Sequence, residues 1–209
     1  MLSFTEENHL KAIFHLSNID NKDVSTNAIA ESLKTKAPSV TDMLQKLSDK
    51  KLVTYKKYQG SFLTPIGRKT ALNIIRKHRL WETFLVNKLD FSWGEVHDVA
   101  EQLEHIKSEK LTDKLDHFLN YPKFDPHGEP IPTKSGIIPS TKRITLSEMK
   151  INSKGIIMGV SLDNKEFLDH LTKISISIGT KIEAIVRIIF DQSMKIKINS
   201  KIEHISKEL

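Results

Sequence analysis

The sequence predicts a mainly α N-terminal part that begins as a winged helix-turn-helix, followed by a C-terminal small β-barrel. Three observations carry this prediction. Up to about residue 120 the apolar residues recur at helical spacing. Beyond residue 140 they fall in short Ile- and Val-rich runs with strand-like alternation. Between the two, YPKFDPHGEPIPTKSGIIPS (121–140) holds five of the chain's seven prolines, which marks a linker with defined turns.

Taken in order, Ser3-x-x-Glu6 is a capping box that opens a first helix with Leu10, Ile13 and Phe14 on its buried stripe. Ser25 caps a short helix carrying Ala28, Ile29 and Leu33. After the break Lys34-Thr35-Lys36, a second helix starts with Pro38 in its first turn. Its apolar stripe is Val40, Met43, Leu44 and Leu47. Leu52–Lys56 and Ser61–Thr64 then read as two strands turned around Tyr58-Gln59-Gly60. Helix, helix-turn-helix and basic hairpin are the order of a winged helix-turn-helix.

Thr64 as N-cap and Pro65 behind it open one long helix to about Lys88, carrying Ile66, Leu72, Ile75, Leu80 and Phe84. Ser92-x-x-Glu95 caps the helix of WGEVHDVAEQLEH (93–105). Ser108 begins another, with Leu111, Leu115, Phe118 and Leu119 as its buried set. After the linker, ITLSEM, GIIMGVSL, SISIG, TKIEAIVRII and SMKIKIN read as strands, interrupted by one short helix in NKEFLDHLTKI.

Bulk properties narrow the function. The 209 residues contain no cysteine, so disulfides, iron–sulfur clusters and thiolate zinc sites are excluded. No apolar run approaches the roughly 20 residues of a membrane span, and MLSFTEENHL lacks a secretory signal; the expected compartment is the cytoplasm, with no membrane partner. Residues 1–80 hold 14 Lys+Arg against 7 Asp+Glu, whereas the remaining 129 hold 18 against 19. A basic N-terminal block on a near-neutral remainder suggests that the first block meets a polyanion.

His97, Glu101, Glu104 and His105 stand at offsets 0, 4, 7 and 8, on one face of a helix. Two carboxylates, two imidazoles and no cation on one face would gain from a divalent ion, because Glu101 and Glu104 repel at i, i+3. His78 and Glu82, at i, i+4 on the preceding long helix, add a second pair of the same type. Imidazole and carboxylate without sulfur suit manganese, ferrous iron or zinc. Enzyme signatures are lacking: there is no His-Glu-x-x-His, no Glu-x-x-His after Glu101 or Glu104, and no glycine-rich phosphate loop.

The segments EENHLKAIFHL, TNAIAESLKTKAPSVTDMLQKL, YQGSFLTPIGRK, RKHRLWETFL, EVHDVAEQLEH and PHGEPIP, in this order from residue 4 to about 132, resemble the metal-dependent transcriptional repressors of the diphtheria toxin repressor family. The resemblance implies a homodimer that binds a double-stranded DNA operator when divalent metal is present and represses metal-homeostasis genes. It implies a winged helix-turn-helix (1–64), a helical metal-binding and dimerisation domain (65–122), a linker (123–143) and an SH3-like domain (144–209). Carried over by position, the primary metal site is Glu101, Glu104 and His105 with Asn8, where relatives have Asp or Met. The ancillary site is His78, Glu82 and His97, completed by Asp163 and Glu166 from the SH3-like domain. Iron-responsive members carry Cys where this chain has Glu101, and a hard oxygen ligand there favours Mn²⁺, with Fe²⁺ as the other candidate.

For DNA, the second helix of the helix-turn-helix should enter the major groove by its N-terminal end. Lys36, Pro38, Ser39, Thr41 and Asp42 would then face bases or phosphates, and Gln45, Lys46, Lys56, Lys57 and Tyr58 the backbone. The expected mechanism is a metal clamp between the first helix and the 93–105 helix. Without metal, repulsion between Glu101 and Glu104 should leave that joint loose. A winged-helix regulator indifferent to metal and a His/carboxylate metalloenzyme are the two alternatives.

Overall fold

The computed structural model describes residues 2–20, 23–56, 59–140, 142–160 and 165–207, apart from the side chains at 18–20 and 165. Helix α1 (Phe4–Asp20) is opened by the capping box: the Ser3 N–H donates to Glu6 Oε2 at 2.9 Å and the Glu6 N–H to Ser3 Oγ at 3.3 Å. Helices α2 (Thr26–Ser32) and α3 (Ala37–Asp49) form the helix-turn-helix. Ser25 Oγ caps α2, accepting from the Ala28 N–H at 3.1 Å. Strands β1 (Val53–Lys56) and β2 (Gly60–Leu63) pair antiparallel as the wing. Leu10, Ile13, Ile29, Val40, Leu44, Leu47 and Val53 close over one another in a first core.

Helix α4 (Pro65–Leu89) belongs to two cores. Its first half gives Ala71, Leu72 and Ile75 to the core of the reading head. Its second half gives Leu80 and Leu85 to a body built with α5 (Trp93–Leu103) and α6 (Glu109–Phe118), where Val96, Ala100 and Leu115 are buried. Leu111 and Phe118, expected to be buried, are 40% and 58% exposed, because the α6 stripe is wider than the strip that α4 covers. Ile66, in the first turn of α4, is likewise exposed.

The C-terminal part is the small antiparallel sheet of an SH3-like domain, in the order β3 (Lys154–Ile156), β4 (Lys181–Arg187), β5 (Met194–Ile198), β6 (Lys201–Ile205), with α7 (Lys165–Lys173) beside it. Among the described residues the sheet is open rather than a closed barrel. ITLSEM is not a strand: Thr145 and Glu148 make a capping box around a 3-10 turn at Leu146–Glu148, a local bond set that competes with the ladder. SISIG is a turn, since Ser175 and Gly179 sit at φ +60° and +87°. β6 was not expected, because KIEHI spaces its two isoleucines by three and lacks alternation.

The sheet docks on the body through the linker. At Gly128, φ +85°, a Cβ would lie 1.9 Å from the Met158 carbonyl oxygen, so only glycine allows this approach. The Val160 N–H donates to His127 O at 3.1 Å, and Trp93 packs against the C-terminal core. Among the described residues, no helix is long and apolar enough to cross a membrane.

Candidate metal centre

Helices α1, α4 and α5 and the linker turn 125–129 converge on a cavity of about 640 Å³ that Asn8, Lys11, His78, Glu82, His97 and Glu101 line. The 93–105 segment is not one continuous helix. α5 ends at Leu103, Glu104 is its C-cap, and His105 follows in the turn. This turn carries Glu104 inward, where it is fully buried, so the face is no solvated acidic stripe.

His78 is the hub. Its Nδ1–H donates to Glu104 Oε2 at 2.7 Å and its Nε2–H to Glu82 Oε1 at 3.0 Å. Burial alone would lower the His78 pKa, but these two carboxylates overcome it and raise it to about 9, so the ring is an imidazolium at neutral pH. Burial likewise works against ionising Glu82, yet its bonds from His78 and His97 hold it far below the usual carboxylate range. Glu104 is lowered in the same way by His78 and Lys11, against its burial. His97 spans the gap, with Nδ1 3.5 Å from Glu82 Oε1 and Nε2 3.5 Å from Glu101 Oε1.

The resemblance divides these ligands into a primary and an ancillary site, and in the structure members of the two sets stand side by side. Ligand atoms of His78, His97 and Glu101 lie within 4.8 Å of one another, so Glu101 stands between both sets. His105 Nε2 lies 4.0 Å from Glu104 Oε1. Among the described residues, Asn8 Oδ1 is buried without a hydrogen-bond partner, an orphaned oxygen on the cavity wall. Glu166 is exposed on α7 and does not line the cavity, and Asp163 lies outside the described residues. The nitrogen and oxygen donors, together with the orphaned amide oxygen, fit a borderline-hard divalent ion.

Four residues of the centre carried no role in the sequence reading. Glu7 Oε2 accepts from His105 Nδ1–H at 2.6 Å, which fixes that ring and turns Nε2 towards Glu104. Lys11 Nζ bonds Glu101 Oε1 and lies 2.8 and 2.9 Å from the two Glu104 oxygens. His127 Nε2 stands 3.7 Å from Glu82 Oε1. Burial and the Glu82 charge push Asp125 up to about 7, against the Arg79 guanidinium beside it. The neighbour of Asn8 was the only sequence signal for Glu7; the prolines around Asp125 and His127 mark a linker and hide its chemistry. Lys11 on α1 bridges Glu101 and Glu104, so a cation stands against the two carboxylates whose mutual repulsion was expected.

Most of the residues expected to meet DNA lie on or beside α3. Lys36 caps α3, and Pro38, Ser39, Asp42, Gln45 and Lys46 are exposed along it. Thr41 is half-buried and bonds back to Ala37 O at 3.1 Å. Gln45 Nε2 donates to Asp49 Oδ1 at 3.1 Å, and Lys56 is exposed at the end of β1. Lys57 and Tyr58 lie outside the described residues.

Comparison with known proteins gives a consistent pattern. Residues 1–61 match the family described as "Iron dependent repressor, N-terminal DNA binding domain", 64–133 its "metal binding and dimerisation domain", and 144–209 the "FeoA domain". The chain is 33% identical over 120 residues to an HTH-type transcriptional regulator MntR of Oceanobacillus iheyensis, covering 57% of this chain and 80% of that one. A solved structure, "Manganese-dependent transcriptional repressor complex with manganese", superposes with TM-score 0.87 at 32% identity, covering 97% of this chain and 94% of that one. Over 89 residues the chain is 42% identical to a "Probable metal transport system membrane protein" of Chlamydia trachomatis; that match covers 43% of this chain and 20% of the chlamydial protein.

Proposed function

The chain belongs to the iron-dependent repressor family, and from that premise we propose that it is a cytoplasmic, homodimeric transcriptional repressor that binds its operator in response to a divalent metal, Mn²⁺ before Fe²⁺. One observation carries the reading. Glu82 and Glu104 are 2% and 0% exposed, and such carboxylates are buried only where cations meet them. Here they lie at the joint between the reading head and the body.

Asn8 on α1 lines the same cavity as His78, Glu82, His97 and Glu101; Glu104 is bonded to His78, and His105 Nε2 lies 4.0 Å from Glu104. These are the residues that would hold the ion; a bound divalent cation supplies the charge that fixes α1 against α5. Glu7 orients His105 for that task, and His78 spans the two ligand sets. Glu at 101, an oxygen donor, favours manganese over softer ions. The segment similar to this chain within a chlamydial metal transport protein supports metal-transport genes as the regulated class. Leu89, Leu111, Phe118 and Tyr121, all at least 40% exposed, supply an apolar face for the second protomer. The exposed ridge of α3 then supplies one recognition helix per half-site.

Gel retardation with a titration of Mn²⁺, Fe²⁺ and Zn²⁺, with and without chelator, tests the proposal. Mn²⁺ should promote operator binding and chelator should abolish it. Glu104→Ala should remove the metal dependence while circular dichroism stays unchanged. Operator binding indifferent to chelator would favour the regulator that does without metal, a reading with one point in its support: Lys11 and His78 already neutralise the buried acids.

A further inference from the structure

We propose that the Lys11 ammonium is a built-in occupant of the Glu101–Glu104 pair, and that a divalent cation gains this site only by expelling it. The inference rests on the metal-responsive reading above and concerns what sets the metal threshold. Lys11 has three N–H donors, and the three carboxylate oxygens it meets are Glu101 Oε1, Glu104 Oε1 and Glu104 Oε2. These bonds link residues 90 and 93 positions apart, from α1 to α5. They span the same joint, and engage the same oxygens, that the proposed ion would use.

Occupancy by a tethered charge has a definite consequence. The Lys11 side chain is 14% exposed and Glu104 is fully buried, so this ammonium is screened little by solvent. An incoming ion must first remove it, and the measured affinity is the intrinsic affinity reduced by the free energy of that removal. The geometry provides an exit, since Lys11 lines the 640 Å³ cavity. Among the described residues the other basic groups near Glu101 stand farther off or are engaged elsewhere: His97 Nε2 lies 3.5 Å from Glu101 Oε1 and its other ring nitrogen faces Glu82. Arg79 is engaged by Asp125 and Glu129, and His78 Nδ1 lies 3.9 Å from Glu101 Oε1 while bonded to Glu104. Lys11 thus sets how much metal is needed before the joint changes hands, and it keeps α1 attached to α5 until then.

The test compares Mn²⁺ uptake by the full-length wild type and K11M, followed by electron paramagnetic resonance of the free ion. K11M keeps the length of the side chain and loses its charge. Its Mn²⁺ dissociation constant should fall about tenfold or more, and its melting temperature should rise more on Mn²⁺ addition than that of wild type. Equal or weaker binding by K11M overturns the inference while leaving the metal-responsive reading intact. In wild type alone, which needs no variant to fold, mass-spectrometric acetylation footprinting should find Lys11 modified several-fold faster with saturating Mn²⁺ than with chelator. Protection that is unchanged or increased overturns the inference as well. Failure of both proteins to take up Mn²⁺ would overturn the reading beneath it, and this inference with it.

Discussion

Glu7 shows how much one carboxylate outside the ligand set can decide. Its bond to His105 Nδ1, and the stacking of His105 on Phe4 at 4.4 Å, leave the ring one orientation. Partners of this kind typically contribute 10–100-fold in metal affinity. Glu7→Gln should therefore weaken Mn²⁺ binding by roughly that factor with helix content unchanged, as a titration alongside circular dichroism would record. At this scale the sequence was legible wherever ligand-type residues shared a helical period: His78 with Glu82, and His97 with Glu101, meet as their spacing implies. It was illegible where contact came from distant segments. Nothing in ENHLK announces that Lys11 reaches Glu104, because that pairing depends on the angle between α1 and α5.

Elements were legible where their ends carry local chemistry. Ser3, Ser25, Thr64 and Ser92 each precede a helix in the structure, since a cap is settled within four residues. The C-terminal strands were harder, because β-pairing depends on partners far along the chain. ITLSEM alternates like a strand and still becomes a turn, for a local capping box takes the place of ladder bonds. The joint between wing and α4 makes a sharp element-scale prediction. A Cβ on Gly67 would sit 1.8 Å from the Leu52 carbonyl oxygen, within the first turn of α4. Gly67→Ala should lower stability by about 1–3 kcal/mol despite the better helix propensity of alanine, read as a shift in the urea midpoint.

For the whole molecule, the buried acids and bases predict how metal-free stability follows pH. The His78 pKa is raised from the ordinary 6.5 to about 9, so its stabilisation is complete below 6.5 and lost as pH rises through 9. Asp125, raised from 3.8 to about 7, acts in the same direction: the fold favours its protonated form, and that contribution is lost as pH rises through 7. Glu82 and Glu104 are lowered, so their contribution is present above about 4.5 and lost in acid. Metal-free protein should accordingly be most stable near pH 5 and lose on the order of a few kcal/mol by pH 9, measured as urea midpoints across that range. Because ligation through His78 releases its proton, Mn²⁺ affinity should rise over the same interval.

Helix α4 runs unbroken from one core into the other, 25 residues that span about 37 Å at 1.5 Å each. It is a stiff lever with His78 and Glu82 near its middle and the wing at its tip. A rotation of about 3° at such a mid-helix fulcrum moves the wing end, roughly 20 Å away, by about 1 Å. Paired across a dyad, two such displacements alter the spacing of the recognition helices enough to spoil or restore their fit to major grooves roughly 34 Å apart. On the proposed reading a small shift at the ion site would suffice to alter the grip on a duplex, leverage turning local chemistry into a change of reach.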